Sequence, residues 1–96
     1  MRVIGKMPYE PAEVIEIGNG YSALQEYVGG PVESYRLFKD VSVVCNKRGK
    51  MMGATMNMEL NGIELFGPIL IVGVDGAGFT DCPNAKFILE YFNVMF

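Results

Sequence analysis

Apolar residues along the chain fall mostly into short runs with a period of two, separated by Gly, Pro and Asn-Gly punctuation. Arg2–Met7 alternates as a strand does, and Pro8 and Pro11, which supply no ladder donors, bracket a turn. Glu13–Ile17 is rich in β-branched residues and predicts a second strand able to pair with the first as a hairpin. Helical spacing then takes over: Leu24, Tyr27 and Val28 stand at i, i+3 and i+4 on one face. Asn19 is the expected N-cap of that helix, and Gly29-Gly30-Pro31 the stop.

Two further strands follow, Val32–Leu37 and Val41–Asn46, joined at Lys39-Asp40. Asn46-Lys47-Arg48-Gly49 reads as a tight turn with Gly49 at a positive-φ position, and Lys50-Met51-Met52 as the start of a return strand. Between Gly53 and Gly62 the spacing of Met56, Glu59 and Leu60 predicts a single irregular helical turn, closed by a turn at Asn61-Gly62. Ile63–Phe66 and Ile69–Val74 read as strand on either side of Gly67-Pro68, the second apolar on both faces as a covered central strand is. Asp75–Gly78 reads as a flexible loop. Pro83 suits the first turn of a C-terminal helix capped by Asp81 or Cys82, with Phe87, Ile88, Tyr91, Phe92 and Met95 forming a stripe to be buried. The order β-β-α-β-β-(turn)-β-α predicts an α+β fold: a mostly antiparallel sheet of five to six strands with two helices packed on it.

At 96 residues the chain is expected to form one domain, residues 1–96. Half of it is apolar and a fifth charged, the balance of a folded protein. No apolar run approaches the ~20 residues of a membrane helix. Met1–Lys6 lacks the apolar stretch of a signal peptide, so the expected location is cytoplasmic, without a membrane. A net charge of −3 with scattered cations argues against nucleic acid as a partner, because phosphate binding needs clustered Lys and Arg.

The chemistry available is narrow. There is no histidine, and the two cysteines, Cys45 and Cys82, match no metal spacing and read as reduced core thiols, so neither a metal nor a cofactor is expected. The carboxylate pairs Glu13/Glu16 and Asp75/Asp81 have ordinary surface spacing, and no residue set predicts a catalytic centre. Gly73–Gly78 lacks the spacing of a phosphate-binding loop and does not lead directly into a helix. The most distinctive segment is Cys45–Lys50, whose three cations can capture a phosphate or carboxylate or, as the plainer reading, keep a turn solvated. Methionines 51, 52, 56 and 58 can line an adaptable surface or fill core, and the aromatic C-terminus raises the expectation of a homo-oligomer.

Several phrases taken together resemble a known family. They are Glu13–Ile17, Ala23–Gly30 with its Leu24-Gln25-x-x-Val28-Gly29-Gly30, Val44-Cys45-Asn46 with Gly49-Lys50, and Ile71-Val72-Gly73. The chain is similar over about residues 13–92 to a small domain of unknown function found in bacteriophages, plasmids and Gram-positive bacteria. Where that family tends to carry Asn-Arg, this chain has Asn57-Met58, which leaves an arginine-based anion site incomplete. The resemblance implies a mobile-element setting, in the cytoplasm of a bacterial host, and no mechanism.

The expectation is therefore a non-enzymatic phage or mobile-element accessory protein. It would bind a host protein or a small anionic, nucleotide-like ligand through Asn46, Lys47, Arg48, Lys50 and Asn57, in a role such as counter-defence. The alternatives are an enzyme with an unorthodox phosphodiester-type site around Asp75 and Lys50, and a structural or assembly protein.

Overall fold

The computed structural model describes residues 1–76 and 78–96. Its elements run β1 (Arg2–Lys6), β2 (Glu13–Glu16), α1 (Tyr21–Val28), β3 (Val32–Phe38), β4 (Val41–Asn46), β5 (Met56–Leu60), β6 (Ile63–Phe66), β7 (Ile69–Asp75), β8 (Gly78–Thr80) and α2 (Ala85–Met95). The fold is α+β. The main sheet has the antiparallel order β2-β1-β7-β4-β3, and β8 pairs with the second half of β7 on the same side as β1. β5 and β6 make a separate two-stranded hairpin.

The strand period divides the core in two. Val3, Val44, Leu70 and Val72 face α1, where they meet Leu24 and Val28. Ile4, Val43, Cys45, Ile69 and Ile71 face the opposite way, toward Ile88 and Phe92 of α2 and Met58, Leu60 and Leu65 of the hairpin. Side chains at successive strand positions point to opposite faces, so β7 needs apolar residues at every position, and residues 69–72 are all fully buried. Each such side chain contributes about 1.5–3 kcal/mol by leaving water.

Several elements depart from their sequence signals. Met56–Leu60 is a strand, not a helical turn: Met58 and Leu60 share one face with Ile63 and Leu65 across a two-residue turn. Asn61 (φ 49°) and Gly62 (φ 84°) both take positive φ, the geometry that suits a tight hairpin. The segment after β4 is a closed loop rather than a return strand, with Met52 N donating to Arg48 O (2.9 Å) and Ala54 N to Gly49 O (2.9 Å). Gly53 (φ 76°) takes its left-handed position; Gly49 is needed for close approach, since a Cβ there would lie 2.8 Å from Phe66 O.

Both helix starts also differ. Gly20 stands at the N-cap of α1, while Asn19 Oδ1 accepts from the Met1 amino group (3.2 Å). Asp81 caps no helix: its Oδ1 accepts from Arg2 N (2.9 Å), and Cys82 N donates to Arg2 O (2.9 Å). These bonds hold residues 81–82 along β1, so α2 begins only after Asn84 (φ 50°). Of the expected apolar stripe, Ile88 and Phe92 are buried, whereas Phe87 and Met95 are exposed. The Asp75–Gly78 stretch links β7 to β8, an unexpected strand, and Ala77 lies outside the described residues.

Candidate functional site

The basic segment after β4 is built on Asn46. This residue is buried, and its Nδ2 donates to Val28 O (3.3 Å) at the C-terminal end of α1. Its Oδ1 accepts from Arg48 N (2.8 Å), which turns the chain out of the sheet. Lys47 N donates to Pro31 O (2.7 Å), fastening the same turn to the start of β3. Asn46 therefore shapes the loop while Lys47, Arg48 and Lys50 are exposed on it. Met51 and Met52 stand beside them, 86% and 61% exposed.

The cations are not alone. Lys50 Nζ lies 3.6 Å from Glu64 Oε1 and 5.7 Å from the centre of the Phe66 ring. A shallow pocket of 190 Å³ here is lined by Glu33, Tyr35, Cys45, Asn46, Lys47, Lys50, Glu64 and Phe66. Its two carboxylates oppose a small anion in the pocket itself. Lys47 and Arg48 are exposed on the loop, and of the three cations only Arg48 lies outside the pocket lining.

Asn57 belongs elsewhere. Its Nδ2 donates to Lys6 O and to Gly67 O, each at 2.9 Å, and its Oδ1 accepts from Lys6 Nζ (2.8 Å). It thus ties the β5–β6 hairpin to β1. With Lys6 it lines a cleft of 380 Å³ shared with Tyr9, Glu10, Pro11, Asn93 and Phe96. No side chain lines both this cleft and the loop pocket. Of the five residues marked in the sequence, Lys47, Arg48 and Lys50 stand on the loop, Asn46 anchors it from the end of β4, and Asn57 faces a separate cleft.

The titrating groups near these sites are shifted by burial. Cys45 is pushed up to about 11 by burial and then by Glu33, and Cys82 to about 11 by burial and then by Asp40. Both are separate buried thiols. Burial also holds Lys6 below the ordinary lysine value. Among the described residues, no group of three His, Cys, Asp or Glu side chains is placed to hold a metal ion. Among them too, no helix is long and apolar enough to cross a membrane.

A model of the family described as Domain of unknown function (DUF3846) matches residues 1–93. The chain belongs to that family. Searches of curated proteins and of solved structures give no match. In this DUF3846 domain, Asp75 and Lys50 lie beyond opposite ends of the β4–β7 pairing, which runs from Val41↔Gly73 to Val44↔Leu70. A site combining them is not assembled within one chain. Arg36 Nη1 is engaged with Lys39 O (2.5 Å) at the β3–β4 turn.

Sequence reasoning missed Lys6, Tyr9 and Asn93 in this DUF3846 domain. One signal was available for Lys6: it shares strand parity with Ile4, so a core-facing Ile4 places Lys6 on the same face. Nothing local marks Asn93, whose Oδ1 accepts from Ala12 N (2.9 Å) across 81 positions of sequence.

Proposed function

We propose that this chain is a non-enzymatic accessory protein of mobile genetic elements, acting by binding a protein of the bacterial host through the loop at residues 47–53. The observation that carries this reading is the pairing of exposed Lys47 and Arg48 with exposed Met51 and Met52 on one internally hydrogen-bonded loop. Cations give steering and forked bonds to carboxylates, and unbranched thioethers adapt to an apolar surface. The open loop, with Glu33 and Glu64 beside its pocket, favours an acidic, partly apolar protein surface over a small anion. The mobile-element setting comes from the family resemblance, and counter-defence is the role such a binder would serve in a bacterial cytoplasm.

A homo-oligomer is part of the proposal. Phe87, Tyr91, Val94 and Met95 lie within about a third of a turn on α2, and Phe87, Val94 and Met95 are exposed. Val94→Glu is expected to lower the mass measured by light scattering without unfolding the chain; an unchanged mass removes this face from the assembly.

The deciding experiment is affinity capture from host lysate with the wild type and a Lys47→Ala, Arg48→Ala, Lys50→Ala variant in parallel. The expected result is a partner retained by the wild type and lost by the variant. Equal capture by both would remove the loop as the site. Incubation with a nucleotide panel tests the enzymatic alternative, because a product peak would favour turnover over binding.

A further inference from the structure

Lys6 is the one charged residue among the described residues that is almost wholly covered, at 6% exposure. Its stem is covered while the ammonium reaches the cleft, and among the described residues no carboxylate lies within 4 Å of it. Its Nζ donates to Asn57 Oδ1 (2.8 Å) and, at 3.5 Å, to Met7 O. An ammonium has three donors, so at least one N–H is left for the 380 Å³ cleft that Lys6 lines.

The surrounding groups divide into supports and contacts. Asn57 is a support: both of its N–H groups are spent on Lys6 O and Gly67 O, and its Oδ1 orients the ammonium. Asn93 has a spare donor, since only one bond from its Nδ2 is formed, to Ala12 O (3.3 Å). Tyr9 is 90% exposed at the cleft and holds φ 65°, a left-handed conformation that a bulky residue adopts at a cost. Phe96 supplies a second ring and Glu10 a carboxylate.

We propose that this cleft binds a small molecule through a carboxylate or phosphate group held by Lys6 and Asn93, with a donor group of the same ligand on Glu10. Tyr9 and Phe96 give the ligand body two aromatic surfaces. The site is separate from the loop at residues 47–53 and stands whether or not that loop binds a protein. Glu10 weakens the binding of a bare oxyanion without preventing it from saturating the site, and a ligand that also carries an amine or hydroxyl gains a second contact there.

The test is a titration of the ¹⁵N-labelled full chain with inorganic phosphate and, separately, with acetate. Amide signals of residues 6–12 and the side-chain signals of Asn57 and Asn93 are followed. Saturable shifts confined to these groups are expected, lost in Lys6→Met and weakened in Asn93→Ala. Glu10→Gln, which removes a nearby like charge, is expected to tighten binding by on the order of threefold. Phosphate and acetate responses separate the two oxyanion sources. Shifts that track Lys47–Lys50, that never saturate, or that persist in Lys6→Met would overturn the proposal. If Lys6→Met fails to fold, the opposite effects of Glu10→Gln and Asn93→Ala decide it, and an unchanged affinity in both overturns it.

Discussion

Asn57 grips Lys6 at both ends: its Oδ1 takes a hydrogen bond from Lys6 Nζ (2.8 Å) and its Nδ2 donates to Lys6 O (2.9 Å). A third bond, from Nδ2 to Gly67 O (2.9 Å), makes the same carboxamide the join between β1 and the β5–β6 hairpin. Truncation leaves two carbonyls and the Lys6 ammonium each short of a partner. Asn57→Ala is therefore expected to cost about 2–4 kcal/mol. That is roughly ten degrees or more in melting temperature for a domain of this size. A loss under ~1 kcal/mol in a denaturant titration would show that water replaces the clamp.

Gly73 is fixed by contact rather than by φ. A Cβ on it would collide with the backbone carbonyl of Asp81 and lie 3.0 Å from Thr80 Cγ2, so the β8–α2 connection must move. Gly73→Ala is expected to destabilise by about 3 kcal/mol or more. Gly18→Ala serves as a control, because apart from the two adjacent residues the nearest atom to a Cβ there is Ala23 Cβ at 3.5 Å, an ordinary contact. Equal melting temperatures for the two variants would contradict this account.

Stability is expected to fall between pH 9 and pH 11. The Cys45 and Cys82 thiols hold their protons to about 11 in the fold against 9.0 in the open chain. The folded state then binds more protons across that window, and stability is lost as pH rises through the folded value. Each thiol contributes on the order of 2–3 kcal/mol to the full loss. Burial raises Tyr27 and Tyr35 above 10.0 and adds loss of the same sign, while Lys6, held below 10.5, works in the opposite direction. A Cys45→Ala, Cys82→Ala variant is expected to flatten the fall seen in urea midpoints, whatever its cavity cost at neutral pH.

The same burial makes both thiols inert. Cys45 and Cys82 are expected to resist a water-soluble disulfide reagent at pH 8 in the folded protein and to react fully in denaturant. Fast labelling of either in native buffer would place it at the surface instead.

Asn46 carries the exit from β4. Asn46→Ala removes the bonds to Val28 O and Arg48 N, and is expected to cost about 1–3 kcal/mol and to loosen the loop. Hydrogen exchange at residues 47–54 is expected to rise more than exchange in β7, and a uniform rise would show global loss only.

Local patterning by itself determined the main sheet's strands apart from β8, the β1–β2 and β3–β4 hairpins, and the α1 stop at Gly29 (φ 87°). Alternation, β-branched runs and left-handed glycine are properties of neighbouring residues, so neighbours suffice to read them. The apolar run Ile69–Val72 announced a strand covered on both faces for the same reason. The return of the β5–β6 hairpin over the sheet was decided only by the tertiary structure, because Met56–Leu60 has no strong local preference and is settled by burial of Met58 and Leu60. Asn19 and Asp81 lost their expected capping roles to partners far along the chain, the Met1 amino group and Arg2 N. The cleft joins Lys6, Asn57 and Asn93, which come from β1, β5 and α2. A buried lysine without a carboxylate is defined by what surrounds it, and that surrounding exists only once the hairpin and α2 have closed over β1.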